Sequence, residues 1–274
     1  DSSTSRGLGD VYKRQMRMTV IGTGYLGATH AACMAELGHE VLGVDVDETK
    51  IEALKNSKVP FYEPGLPEVL ERNIDAGRLG FTTDYAEAAA FANVHFIGVG
   101  TPQQRGSYAA DTRYVEAVID DLVPQLEGEH LILGKSTVPV GTAAALQQRA
   151  DKLAAEHGNK ASVEIAWNPE FLREGYAVKD TIEPDRIVLG HRAENSRAEE
   201  IAREVYATPL ENNTPFIVTD LQTAELVKVS ANAFLATKIS FINAVSEVCE
   251  NVGADVTQLA DAIGYDAVSY THLR

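Results

Sequence analysis

The residues best suited to chemistry stand near the start of the chain. The short apolar run Met18 to Ile21 reads as a buried strand. It leads into Gly22, Thr23, Gly24, Tyr25, Leu26 and Gly27, a GxGxxG spacing. An Ala-rich, helix-prone segment, Ala28 to Leu37, follows, with Gly38 as its C-terminal cap. Glu40 to Val44 is a second apolar run, and Asp45 ends it. Each part has a mechanical reason. Gly22 permits a tight turn, Gly24 lets a pyrophosphate approach the backbone, and Gly27 lets helix and strand pack closely. The helix N-terminus offers free N–H groups and partial positive charge to phosphates. Asp45 lies roughly 20 residues beyond, where it can accept from both hydroxyls of an adenosine ribose. It would repel a 2′-phosphate, which favours NAD over NADP. The bland alternative is a βαβ unit whose glycines only pack. Lys50, a short step further on, either reaches the ribose or is solvated.

A second set of residues lies at later strand tips. NPEFLREG, Asn168 to Gly175, places Glu170 and Glu174 four residues apart with Arg173 between them. Alone this is an ordinary solvated turn. Its position gives it meaning, because it ends the strand pattern Val163 to Trp167. Val94 to Val99 likewise ends in Gly100, Thr101 and Pro102, and Leu131 to Leu133 is followed by Gly134, Lys135, Ser136 and Thr137. Ile187 to Gly190 and Phe216 to Thr219 read as further strands. Strand after strand is followed by a helical pattern, which predicts an α/β fold with a Rossmann-like doubly wound parallel sheet. Such sheets bind ligands at their C-terminal tips, where Gly24, Thr101, Ser136, Thr137, Glu170 and Glu174 collect. From Asp220 to about Asn251 the pattern becomes one long helix with more than one apolar face, so it is buried or makes a subunit contact. Lys228 and Asn232 are spaced i, i+4 on one face of it, either as a functional pair or as a surface Lys and a tolerated Asn. Gly253 ends the helix, and a short helix, Val256 to Ile263, follows.

Composition narrows the class. Net charge is −16 with 45% hydrophobic and 23% charged residues. An acidic globular chain is a poor partner for nucleic acid or an anionic membrane. No apolar run approaches a membrane span and no signal peptide is visible, so a cytoplasmic protein is expected. Cys33 and Cys249 are the only cysteines. Both fall in helical patterns and read as buried thiols, with a disulfide left open. No His/Cys cluster has metal-ligand spacing, so no metal site is expected. Residues 1–15 show no period of either kind and read as a non-native leader, with Met16 as the true start.

Together these motifs resemble the UDP-glucose/GDP-mannose dehydrogenase family, in its UDP-glucose 6-dehydrogenase branch. The resemblance runs from Met16 to Asp266. It rests on VIGTGYLG, FYEPGL (Phe61 to Leu66), GVGTP (Gly98 to Pro102), KSTVPVGT (Lys135 to Thr142), NPEFLREGYAVKD, EPDRIVLG (Glu183 to Gly190) and AELVKVSANAFLATKISFIN (Ala224 to Asn243). It implies NAD-dependent oxidation of the C6 alcohol of UDP-glucose to a carboxylate, in two hydride transfers through a cysteine thioester, serving polysaccharide biosynthesis. The cofactor would be held by Gly22, Gly24, Tyr25, Leu26, Gly27, Asp45 and Lys50, and by Thr101, Pro102, Ser136, Thr137 and Glu174. The sugar nucleotide would meet Glu170, Phe171, Leu172, Arg173, Glu174, Lys228 and Asn232. Catalysis would fall to Thr137 and Glu170 for water, Glu174 between cofactor and reacting carbon, and Lys228 and Asn232 at the C6 oxygen. Residues 16–210 would form the NAD-binding domain. Residues 211–266 would start the central helical domain, whose long helix makes a homodimer.

The chain departs from the family pattern in one respect. The nucleophilic cysteine belongs to a GGxCxPKD-type segment, and neither Cys33 nor Cys249 has those neighbours. After AIGYD the sequence AVSYTHLR, residues 267–274, matches nothing expected. This reads as a truncated frame that binds NAD without turnover. A related nucleotide sugar (GDP-mannose or UDP-N-acetyl-mannosamine) and a non-catalytic NAD-binding module stay open. So does a 3-hydroxyacid or 6-phosphogluconate-type dehydrogenase, which FYEPGL and NPEFLREG disfavour.

Overall fold

A computed structural model describes residues 15–158, 161–192 and 196–265 of the chain. The reading of 1–15 as leader falls, but for Gln15, outside these residues, as does that of 267–274 as tail. Two compact units are present, one reaching Lys228 and the other starting at Val229.

The first unit alternates strands and helices. Its first half holds β1 (Arg17–Ile21), α1 (Tyr25–Glu36), β2 (Glu40–Val44), α2 (Glu48–Lys55), α3 (Leu66–Asp75), β3 (Leu79–Thr82), α4 (Tyr85–Phe91) and β4 (Val94–Ile97). Then come α5 (Arg113–Leu122), β5 (Glu129–Gly134), α6 (Thr142–His157), β6 (Ser162–Trp167), α7 (Ala177–Ile182), β7 (Ile187–Gly190), α8 (Ala198–Val205), α9 (Ala207–Glu211) and β8 (Phe216–Thr219). The helix α10 (Leu221–Val252) begins in this unit and continues into the second, which ends with α11 (Val256–Gly264).

All eight strands form one sheet in the order β3-β2-β1-β4-β5-β6-β7-β8. Successive side chains of a strand point to opposite faces, and both faces are covered. Phe96, Leu131 and Leu133 join one core with Met18, Val20 and Ala28. Ile97 and Ile132 join the other with Ile119, Leu146 and Trp167. Burial on both faces explains why these strands read as continuous apolar runs.

The sheet is not parallel throughout. Six neighbouring pairs are parallel, but β6 and β7 are antiparallel and share the single pair Trp167↔Gly190. The only helix between them, α7, has six residues. It is too short to carry the chain back along the sheet, as a parallel crossover requires. The four-residue β3 was not expected either. It alternates in burial and lacks a long apolar run.

One polar line crosses the interior. Thr19 Oγ1 meets His95 Nδ1 at 2.7 Å, His95 Nε2 meets His130 Nδ1 at 2.9 Å, and His130 Nε2 meets the Glu127 carbonyl at 2.9 Å. A carbonyl only accepts, so His130 Nε2 carries the proton. His95 Nε2 must then donate to His130, and the Thr19 hydroxyl to His95.

In the second unit, α10 stops before Gly253, which has φ +76°, and the Ala254 N–H closes on the Cys249 carbonyl. Asp255 caps α11 through the Thr257 and Gln258 amides. Phe234, Leu235, Ile239, Phe241 and Val248 of α10 are exposed. Among the described residues no helix is long and apolar enough to cross a membrane.

Candidate active site

Strand order reverses at the β1–β4 junction, so the loops leaving these strands diverge and open a crevice. Gly22 has φ +89°, and a Cβ there would meet Val99 Cγ1 at 2.5 Å; one at Gly27 would meet the Gly22 carbonyl oxygen at 1.7 Å. Gly24 instead borders open space, with nothing within 4 Å of an added Cβ. Gly24 is the N-cap of α1, which therefore starts at Tyr25, three residues before the Ala-rich segment. No side chain caps this helix and its first turn holds no acid, so its unpaired N–H groups remain available to an anion.

Asp45 ends β2 and is buried. Its Oδ2 accepts from Thr23 N (2.8 Å), Thr23 Oγ1 (3.0 Å) and Lys50 Nζ (2.8 Å), and its Oδ1 from Asp47 N (3.1 Å). Burial pushes this carboxyl upward, but the Lys50 and backbone hydrogen bonds outweigh it and hold the group below its ordinary value. Lys50 is thus the partner of Asp45. A groove of about 790 Å³ runs from Gly22 and Gly24 past Asp45 and Lys50 to Thr101 and Pro102. Small-molecule sites span roughly 300–1,000 Å³. Thr101 Oγ1 donates to the Thr137 carbonyl (2.6 Å) and Ser136 Oγ to the Val99 carbonyl (2.7 Å), which joins the β4 and β5 tips. Thr137 itself is half-buried.

At the β6 tip, Glu170 Oε1 pairs with Lys228 Nζ at 2.7 Å and Oε2 accepts from Leu172 N at 2.7 Å. The Lys228 ammonium also lies 5.6 Å from the Phe171 ring, and the Arg186 guanidinium 3.9 Å from it. Arg173 forks onto Asp180 at 2.9 and 2.6 Å, closing the loop against α7. Glu174 and Leu172 flank it, the former exposed and the latter half-buried. Asn232 belongs to the second unit and is exposed on α10. The structure therefore gathers Glu170, Phe171, Leu172 and Lys228 into one cluster, and Gly22 and Gly24 of the GxGxxG turn with Asp45, Lys50, Thr101 and Pro102 into one groove.

Two buried acids and one buried polar group of three residues hold these parts together, and sequence reasoning did not assign them. Glu63 of FYEPGL is buried; it accepts from Tyr25 Oη (2.5 Å), Gly175 N (2.8 Å) and Val178 N (3.4 Å). It ties the GxGxxG turn to the NPEFLREG loop. Burial and this bond push the Tyr25 phenol upward. Glu225, 1% exposed, accepts from Gly141 N (2.6 Å) and Ala143 N (2.7 Å). It caps α6 from the helix that carries Lys228. Lys135 donates to Asn168 Oδ1 (3.0 Å) and Tyr206 Oη (3.3 Å), and burial pushes it down to about 8. Tyr206 Oη donates to Asn168 Oδ1 (2.6 Å), and Asn168 Nδ2 to the Val188 carbonyl (2.8 Å). The partners lie 20 to 115 residues apart, and periodicity carries no signal at that range. The one available hint was an acid inside the FYEPGL motif.

The fold and groove define a dinucleotide-binding Rossmann-type domain that feeds a helical one. The NAD-binding domain of the UDP-glucose/GDP-mannose dehydrogenase family matches residues 16–210, and the family's central domain matches 222–273. The chain belongs to the UDP-glucose/GDP-mannose dehydrogenase family, whose members are nucleotide-sugar oxidoreductases. It is 44% identical over 251 residues to the UDP-glucose 6-dehydrogenase of Rhizobium meliloti, covering 92% of this chain and 56% of that protein. A UDP-glucose dehydrogenase from Pyrobaculum islandicum superposes with a TM-score of 0.84 at 39% identity, over 92% of this chain and 57% of that one. A ternary complex of GDP-mannose dehydrogenase from Pseudomonas aeruginosa gives 0.87 at 33% identity, over 94% and 59%. The chain thus spans little more than half the length of these relatives.

Proposed function

We propose that this chain is the cofactor-binding part of an NAD-dependent UDP-glucose 6-dehydrogenase, which converts UDP-glucose to UDP-glucuronate. The observation that carries the reading is the groove at the β1–β4 junction. It joins an uncapped helix start, an open Gly24 and a buried carboxylate in the order a dinucleotide requires. Gly22, Gly24, Tyr25, Leu26 and Gly27 would hold the pyrophosphate, with Asp45 and Lys50 at the adenosine ribose. Thr101, Pro102, Ser136, Thr137 and Glu174 would border the nicotinamide end. NAD, when bound, supplies the hydride acceptor.

The chain's own residues supply position and charge. Glu170 pairs with the Lys228 ammonium at 2.7 Å and fixes its position, and an ammonium there can steady negative charge on the sugar C6 oxygen. Thr137 and Glu170 would order the hydrolytic water. Arg173, Phe171 and Leu172 shape the loop that meets the sugar nucleotide, and the resemblance alone assigns Asn232 to the same oxygen. Higher identity to the UDP-glucose enzymes than to the GDP-mannose enzyme supports UDP-glucose as the substrate. Cys33 is buried and its thiol is pushed up to about 12, which disqualifies it as the nucleophile. Cys249 is buried as well.

Titration of the purified chain with NAD and NADP, followed by addition of UDP-glucose, tests this reading. Saturable NAD binding at least about tenfold tighter than NADP, a difference of about 1.4 kcal/mol, is expected, without sustained NADH release. Absence of NAD binding would overturn the assignment. The exposed apolar residues of α10 support a homodimer through that helix. Sedimentation across a concentration series tests it, and a monomer at all concentrations would count against it.

A further inference from the structure

Beneath the NPEFLREG loop lies a cavity of about 50 Å³ bordered by His30, Lys135, Asn168, Thr181 and Tyr206. His30 comes from α1, is 2% exposed and sits edge-on to Phe96 at 4.6 Å. Among the described residues its Nε2 is the buried side-chain polar atom that no protein group reaches. Burying an imidazole nitrogen without a partner is costly, and protein interiors meet such groups with water where room exists. One water needs at least about 10–15 Å³, so there is room for more than one here.

The remaining lining offers partners. The Thr181 hydroxyl donates to the Ala177 carbonyl at 2.7 Å, so toward the cavity it can serve only as an acceptor. One Lys135 hydrogen is directed at the Asn168 carbonyl over a long 3.4 Å. Charge decides what species enters. An anion would face Glu170, Asp180 and Asp185 in the same wall, and a cation would face Lys135 and Arg186. A neutral molecule that both donates and accepts suits every side.

We infer that this cavity is a hydration site, in which a small cluster of ordered waters, one of them bonded to His30 Nε2, connects α1 and α7 to the underside of the NPEFLREG loop. The assignment goes beyond the functional reading and does not depend on it. Crystals of this chain, grown in chloride and again in bromide and measured to high resolution, test it. The expected result is density in the cavity with one centre about 2.7–3.2 Å from His30 Nε2 and no anomalous bromide signal. A dry cavity overturns the inference, and so does a bromide peak. In a His30→Phe variant the water at residue 30 is expected to vanish while those near Lys135 persist. A water kept in place against the phenyl ring would overturn His30 as its ligand. Should that variant not fold, the wild-type density decides alone.

Discussion

Asp45 shows how one side chain can serve two purposes. Its carboxylate holds the Thr23 amide and hydroxyl and the Lys50 ammonium, so it shapes the phosphate turn before any ligand arrives. Asp45→Asn is expected to weaken NAD binding and to cut the preference over NADP by roughly tenfold, since the charge that repels a 2′-phosphate is gone. Fluorescence titration with both nucleotides measures the ratio. His95 makes a different residue-scale prediction. Burial pushes its pKa from the ordinary 6.5 down to about 3. Between those values the unfolded chain binds the proton more readily than the folded one, so stability rises with pH across the window. The contribution is fully present above about 6.5 and is lost as pH falls toward 3. Urea midpoints are expected to rise steeply from about pH 4 to 7 in the wild type and less steeply in His95→Gln.

Elements are fixed to one another by single buried carboxylates. Glu225 on α10 stands in for the missing local cap of α6, with bonds of 2.6 and 2.7 Å. Removal in Glu225→Ala leaves two amides without an acceptor, that of Ala143 buried and that of Gly141 half-buried. A loss of about 1–3 kcal/mol is expected, read as a lower urea midpoint at unchanged m-value. Three residues on, Lys228 closes on Glu170, so the first turns of α10 clamp the β5 and β6 tip loops together. Lys228→Met leaves that carboxylate half-buried and unpaired, at a cost on the order of 3 kcal/mol. Glu170→Gln added to it is expected to restore part of the loss, and a double-mutant cycle gives the coupling. Strictly additive losses would mean that the pair contributes nothing beyond its separate side chains.

At the scale of the molecule, much of the architecture was legible in the chain. Apolar runs marked β1, β2 and β4 to β8; strands covered on both faces must be apolar throughout, although the edge strand β8 keeps Ile217 and Val218 exposed. The GxGxxG turn and Asp45 were legible because backbone geometry and spacing alone specify them. The reversal at β7 was not, since strand direction depends on where a short connection leaves the chain. Glu63, Glu225 and the Lys135–Asn168–Tyr206 group were equally hidden. A buried acid or lysine is defined by partners that sequence distance conceals. The family motifs were visible as strings, but the structure supplies what joins them: FYEPGL exists here as the peg under NPEFLREG.

The lone pair Trp167↔Gly190 divides the sheet's hydrogen-bonding into two cooperative blocks, β3 through β6 on one side and β7 with β8 on the other. Backbone pairing across that seam is almost nil, and the Asn168 amide reaching the Val188 carbonyl is its principal stitch. The smaller block should therefore open at a lower free energy than the rest, as a separate foldon. Native-state deuterium exchange is expected to label Val188, Leu189 and Ile217 well before Val20, Phe96 and Ile132, and uniform protection would show a single cooperative sheet. Because the stitch is the first residue of the NPEFLREG loop, a ligand that steadies the loop should slow labelling of strands it never touches.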